Sequence, residues 1–330
     1  MKLVYMGTPD IARVCLQKLH ESGFDIAAVY TKIDTPKNRG MKLAQSPVKE
    51  YALSVGLTVV QPQSFRDDAA YEELKALAPD LIVVVAYGKI LPQRVLDIPR
   101  YGCINMHASI LPELRGAGPV QWSILNHCDE TGISAMYLTA GMDEGDVIEI
   151  RKTPIEPMET SEELMARLAV IAAELACDTV RAIENGTAGR TPQDAAKATY
   201  APMLSKELSP IDWTQCPRHI IDQVRGLIPW PVATAELSGK RFKIFRVEPT
   251  EKTTGKAPGT LLALDKKGLE IACGGGNVVR IAELQAEGGK RMRAADYFRG
   301  PLRFEGRETH GRKNDGAFRA HRHKTAERMV

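Results

Sequence analysis

Long apolar runs are missing from this 330-residue chain. None approaches the ~20 residues that cross a bilayer, and the opening MKLVYMGTPD passes from strand to loop without a signal-peptide core. A cytoplasmic protein with no membrane partner is expected. Clustered cysteines are missing too. Cys15, Cys103, Cys128, Cys177, Cys216 and Cys273 include no C-x-x-C pair and no histidine at ligand spacing, so they read as reduced thiols filling core, with no metal site. The first turn, Gly7-Thr8-Pro9-Asp10, has one glycine where a dinucleotide fingerprint needs three, and Pro9 removes an N–H that would hold a pyrophosphate. A bound dinucleotide is therefore not expected. No heptad pattern is present, and a monomer is expected.

What is present suits a globular protein: 44% of residues are hydrophobic, and the length exceeds the usual single domain. The net charge of +3 hides an asymmetry, since residues 1–208 hold 21 Lys and Arg against 27 Asp and Glu, whereas residues 209–330 hold 23 against 14. A basic second half points to an anionic partner, nucleic acid above all.

In chain order, an apolar strand at 2–6, a helical period ending at Gly23 and a strand at 25–31 make a βαβ opening. With later strands at 80–86 and 102–106, they predict a doubly wound, mostly parallel sheet of Rossmann-like type. Between Lys32 and Lys49 runs a cationic loop with five basic residues and one acid, leaving the second strand's carboxyl end. Loops at that edge surround the ligand crevice. Ala86-Tyr87-Gly88 leaves the same edge, where backbone groups can meet a flat heteroaromatic ring; Tyr87 serves equally well as packing. Cap chemistry at 159–163 predicts a helix running to Asn185-Gly186. The domains expected are 1–188, an extended linker 189–208, a β-rich domain 209–300 and a basic, poorly ordered tail 301–330. Five strand-like segments at 232–237, 241–247, 259–264, 269–273 and 277–284 fit a small OB-like barrel. Lys240, Arg241, Lys243 and Arg246, with Lys290, Arg291 and Arg293, are its candidate phosphate contacts.

The stretch 102–146 gathers the reactive side chains. Asn105 and His107 alternate with Ile104 and Met106, so a strand there points amide and imidazole to one side. Asp143 follows in a second polar cluster. Neutral donor, ionisable donor and base together suit attack on a carbonyl, yet none of the three is a good nucleophile.

The segments His-Ala-Ser-Ile-Leu-Pro (107–112), Arg-Gly-Ala-Gly-Pro (115–119) and Met-Asp-Glu-Gly-Asp (142–146), with GTPD at 7–10, RGMKL at 39–43, SPVK at 46–49, VVVAYGKILP at 83–92, IDW at 211–213 and PWP at 229–231, resemble the methionyl-tRNA formyltransferase family from residue 1 to about 300. The resemblance implies an enzyme moving a formyl group from 10-formyltetrahydrofolate to the α-amino group of initiator methionyl-tRNA. The attacking nucleophile then belongs to the substrate. Asn105 and a protonated His107 are implied as oxyanion donors, and Asp143 as the group that holds His107 charged and carries the proton. Ser109, Ile110, Leu111 and Pro112, with Ala86, Tyr87 and Gly88, are implied to hold the folate. Arg39 and Lys42 are implied tRNA contacts on the cationic loop, and Lys240, Arg241 and Lys243 join them from the C-terminal domain. Two positions depart from the family: Ile110 replaces leucine, and Ala108 stands where glycine is usual. The alternatives are a formyltetrahydrofolate-dependent transferase or hydrolase acting on a small amine, or a nucleic-acid-binding protein without catalysis.

Overall fold

The run Leu81–Val85 is apolar at every position and buried along its whole length. A strand with no polar face must be covered on both sides, as in a parallel sheet flanked by helices. The computed structural model describes residues 1–37 and 42–298 and places this run inside a seven-stranded sheet. Its strands are β1 (Lys2–Gly7), β2 (Asp25–Tyr30), β3 (Val59–Val60), β4 (Leu81–Val85), β5 (Cys103–His107), β6 (Glu130–Tyr137) and β7 (Val147–Pro154), in the order β7-β6-β5-β4-β1-β2-β3. Strands β1 to β5 run parallel. An antiparallel hairpin, β6 and β7, completes the edge beside β5. The order reverses between β1 and β4, and doubly wound sheets open their ligand crevice at the carboxyl ends beside such a reversal.

Gly7 shows why β1 ends as it does. A Cβ there would lie 2.6 Å from the Cβ of Ala12, so only glycine lets helix α1 (Asp10–Glu21) close on the strand. The Tyr5 hydroxyl then donates to the Ala12 carbonyl at 2.6 Å. The predicted cap chemistry is present at helix α2 (Ser161–Glu184): Glu163 Oε2 accepts from the Thr160 N–H and hydroxyl, each at 2.8 Å.

The C-terminal part of the chain forms an antiparallel sheet. Its strands are β8 (Ala233–Leu237), β9 (Lys240–Thr253), β10 (Leu261–Leu264), β11 (Leu269–Ala272) and β12 (Asn277–Ala286), in the order β8-β9-β12-β11-β10, with β13 (Met292–Arg293) also on β12. Among the described residues no ladder joins the edge strands β8 and β10, so the strands form an antiparallel sheet in which no closed barrel is found. Helix α3 (Pro217–Gly226) supplies Ile220, Ile221 and Val224 to a core with Phe242, Ile244 and Ile281.

Two compact units result, each drawn from more than one stretch of chain. The first takes Met1–Pro119, Glu130–Pro154 and Met165–Ala201; the second takes Val120–Asp129, Ile155–Leu164 and the chain from Pro202. Residues 189–208 include the strand Tyr200–Ala201, which pairs in parallel with Arg115–Gly116. The tail 301–330 lies outside the described residues. No described helix is long and apolar enough to cross a membrane.

Candidate active site

Strand alternation sets the first two groups. Asn105 and His107 share a face of β5; Asn105 is in register with Val84 of β4 and Met136 of β6, and His107 with Ser134. Asn105 is half-buried, and its amide has no hydrogen-bond partner among the described residues. His107 is buried, at 6% exposure. Its Nε2 lies 2.9 Å from the Leu114 carbonyl oxygen. A carbonyl only accepts, so Nε2 carries a proton and the ring's remaining functional atom is Nδ1.

Nδ1 faces Asp143, with 3.7 Å to Oδ2. That is an ion-pair separation and too long for a hydrogen bond. The same Oδ2 accepts the Gly116 N–H at 2.8 Å, and Oδ1 has no partner among the described residues. Asp143 sits at φ 50, in the left-handed region that aspartate tolerates better than most side chains. Gly116, at φ 114, has no such latitude: a Cβ would stand 2.8 Å from the Ala201 carbonyl oxygen.

Loop 108–112 is pinned from beneath. Ser134 Oγ donates to the Ser109 carbonyl at 2.7 Å and accepts the Leu111 N–H at 3.1 Å. The Ser109 hydroxyl is committed to the Glu113 carbonyl at 2.6 Å, and Leu111 packs on Met136 and Val147. Ile110 and Pro112 remain half-buried. The Leu111-Pro112 bond is cis. Ala108 is not among the positive-φ residues, so its methyl beside His107 is accommodated without backbone strain.

At the end of β4, Ala86 (φ 45) and Gly88 (φ 73) are left-handed and exposed. The side chain of Tyr87 turns into the core with Tyr30 and Phe65, and its carbonyl accepts the Thr8 hydroxyl at 3.0 Å. Cys103, beside Asn105, is excluded as a nucleophile: burial, with Asp97 nearby, pushes its thiol up to about 12.

Of the cationic residues, Arg39 lies outside the described residues. Lys42 is on a short strand, Lys42–Ala44, whose backbone pairs with Thr35–Lys37. Lys240, Arg241 and Lys243 are exposed while Phe242 and Ile244 between and beyond them are buried, and none of the three has an ion-pair partner among the described residues. Arg246 and Arg291 are instead paired with Glu248 and Glu283.

Three contributors escaped the sequence reading. Arg115 and Gly116 stood in a recognised motif without a role. Gln193 carried no signal, standing 50 residues from Asp143, whose carbonyl it reaches.

A profile of the formyl transferase family matches residues 1–180, and one of the formyl transferase C-terminal domain matches residues 203–302. The methionyl-tRNA formyltransferase of Geotalea uraniireducens (strain Rf4) is 47% identical over 91% of this chain and 95% of its own length. That of Geobacter metallireducens is 46% identical over 91% of this chain and 96% of its own. Among solved structures, an N-formyltransferase from Helicobacter canadensis in complex with folinic acid and dTDP-3-aminofucose superposes with a TM-score of 0.66 at 19% identity, over 85% of this chain and 98% of that one. HypX from Aquifex aeolicus in complex with tetrahydrofolic acid gives 0.62 at 19%, over 90% of this chain but 46% of the larger HypX chain. At such identities these two speak for the fold alone. With both halves matched by one family and full-length relatives this similar, the chain belongs to the formyl transferase family and, within it, to the methionyl-tRNA formyltransferases.

Proposed function

We propose that the chain transfers the formyl group of 10-formyltetrahydrofolate to the α-amino group of initiator methionyl-tRNA through Asn105, His107 and Asp143. The observation that supports the site assignment is an Asn105 amide without a partner among the described residues, two residues from an imidazole set between the Leu114 carbonyl and Asp143. The bound folate supplies an activated formyl carbon, and the rest falls to the chain. Asn105 donates to the formyl oxygen as it gains negative charge, which is worth most in a site that holds the donor ready. His107 anchors through Nε2–H on Leu114 and offers Nδ1 towards Asp143, and in its charged form it is the second donor to the formyl oxygen. Asp143 keeps Oδ2 for His107 and Gly116, and Oδ1 takes the proton that the attacking amine loses. That proton is returned to the departing folate nitrogen, so the exchange is neutral. With an α-amino pKa of ~8, part of the substrate arrives protonated at neutral pH, and a base is useful.

The folate lies against Ala86, Tyr87 and Gly88 by their main chain and against the loop Ser109, Ile110, Leu111 and Pro112. The acceptor arm contacts Arg39 and Lys42, with Lys240, Arg241 and Lys243 on backbone phosphates. The domain division 1–188, 189–208 and 209–300, an OB-like character for the last, a monomeric state and a cytoplasmic location complete the reading. Supporting it are the net +9 of residues 209–330 and Lys240, Arg241 and Lys243 on β9, which have no ion-pair partner among the described residues. Labelled 10-formyltetrahydrofolate offered with methionyl-tRNA, uncharged tRNA or free methionine tests it. Label should enter methionyl-tRNA alone; transfer to a small amine instead would overturn the reading.

A further inference from the structure

Asp143 occupies a left-handed backbone conformation in a loop that also needs Gly145, where a Cβ would lie 1.8 Å from the Tyr137 carbonyl oxygen. Its own side-chain contacts do not fix such a loop, since Oδ2 meets one N–H and stands 3.7 Å from His107. Beside the Tyr137 N–H, which donates to the Asp146 carbonyl at 2.9 Å, the turn's carbonyls are held by one side chain, Gln193. Gln193 Nε2 donates to the Asp143 carbonyl at 2.9 Å and to the Gly145 carbonyl at 2.7 Å. Its Oε1 accepts from Arg115 Nε at 3.1 Å and Nη2 at 2.8 Å. Both amide protons and the amide oxygen are thus used, and Arg115 is itself buried at 5% exposure. Adjacent Gly116 is the residue whose N–H holds the Asp143 carboxylate. One glutamine therefore ties both ends of the turn 143–145 to the segment that orients the carboxylate.

We infer that Gln193 is a positioning residue for formyl transfer, acting through Asp143 and making the 189–208 segment part of the active site. The inference rests on the reading of Asp143 as the proton carrier. Free carbonyls at 143 and 145 let the turn relax from φ 50, and a carboxylate displaced by ~1 Å loses up to about 100-fold in rate.

The test uses the intact chain with methionyl-tRNA and 10-formyltetrahydrofolate. In Gln193→Ala, kcat should fall about 10- to 100-fold, with KM for both substrates within about threefold of wild type, because no substrate contact is removed. Gln193→Glu is the second variant. It keeps the shape and the acceptor for Arg115 but cannot donate to two carbonyls, so it should lose as much kcat as the alanine variant even where its thermal midpoint is unchanged. Asp143→Asn should fall further than either, and adding Gln193→Ala to it should cost nothing more, since both act at one step. Wild-type kcat in both Gln193 variants, or losses that multiply in the double variant, overturns the positioning role while leaving Asp143 in place. Wild-type kcat in Asp143→Asn overturns the underlying reading instead.

Discussion

Replacing Asn105 by alanine separates catalysis from stability more cleanly than any other change in the site. The side chain is half-buried and its amide has no protein partner among the described residues, so truncation strands no buried donor or acceptor. Stability should change by no more than about 1 kcal/mol. Losing a preorganised oxyanion donor raises the barrier by about 3–4 kcal/mol, a factor of ~10² to 10³. His107→Ala offers no such separation, because it leaves the Leu114 carbonyl without its donor at a cost of about 1–3 kcal/mol if that group stays dry. Asn105→Asp sharpens the point. It conserves shape but sets a carboxylate where negative charge develops, and should be slower than alanine. The assay is single-turnover formylation of methionyl-tRNA at saturating donor, beside urea melts of each variant. A rate within threefold of wild type, or a loss of stability matching the loss of rate, would refute the assignment.

Three further outcomes follow from the geometry. Gly116→Ala should lower both the thermal midpoint and kcat: its φ of 114 and the Ala201 carbonyl 2.8 Å away impose about 1–3 kcal/mol of strain on the residue that holds Asp143, and differential scanning calorimetry with steady-state kinetics reads both. The Thr160 N–H, then its hydroxyl, hold the Glu163 carboxyl below its ordinary 4.5. The charged form is the one the fold favours, so its contribution is complete above pH 4.5, and the stability gap between wild type and Glu163→Gln should close as the pH falls through the lower folded value. Joint replacement of Lys240, Arg241 and Lys243 by alanine should raise KM for methionyl-tRNA, leave KM for the folate unchanged and flatten the salt dependence by about one unit of log–log slope per lost phosphate contact; an unchanged slope removes the strand from the tRNA interface.

Much of the scaffold was legible because its periodicities are strong. Leu81–Val85 is apolar throughout, and Thr160 with Glu163 announced a helix that runs to Glu184. Alternation at 104–107 puts Asn105 and His107 on one face. The hairpin β6–β7 was not legible, since buried Thr131 and Ser134 interrupt the apolar pattern of one strand and Glu149, Arg151 and Lys152 crowd the other. Strand β9 is twice as long as the expected 241–247, running through Pro249 to Thr253, because register shifts there absorb a residue that cannot donate. Open or closed sheet is a question of which edges meet, and no spacing encodes it. Gln193 was hidden for a related reason: its four hydrogen bonds all reach residues far along the chain, and local composition describes only its neighbours.

The second compact unit has a bearing on how this protein can be cut and recombined. Leu125 and Trp122, from a segment deep inside the first formyl transferase match, pack into the core that contains Trp213 and Ile220. The indole of Trp122 donates to the Pro202 carbonyl at 2.8 Å. A gene fragment beginning at residue 202 therefore encodes a core short of two of its own side chains, and one ending there carries them with nothing to cover them. The C-terminal half is not a cassette. Swapping it between relatives calls for exchanging 120–129 and 155–164 with it, because those segments belong to the same compact unit.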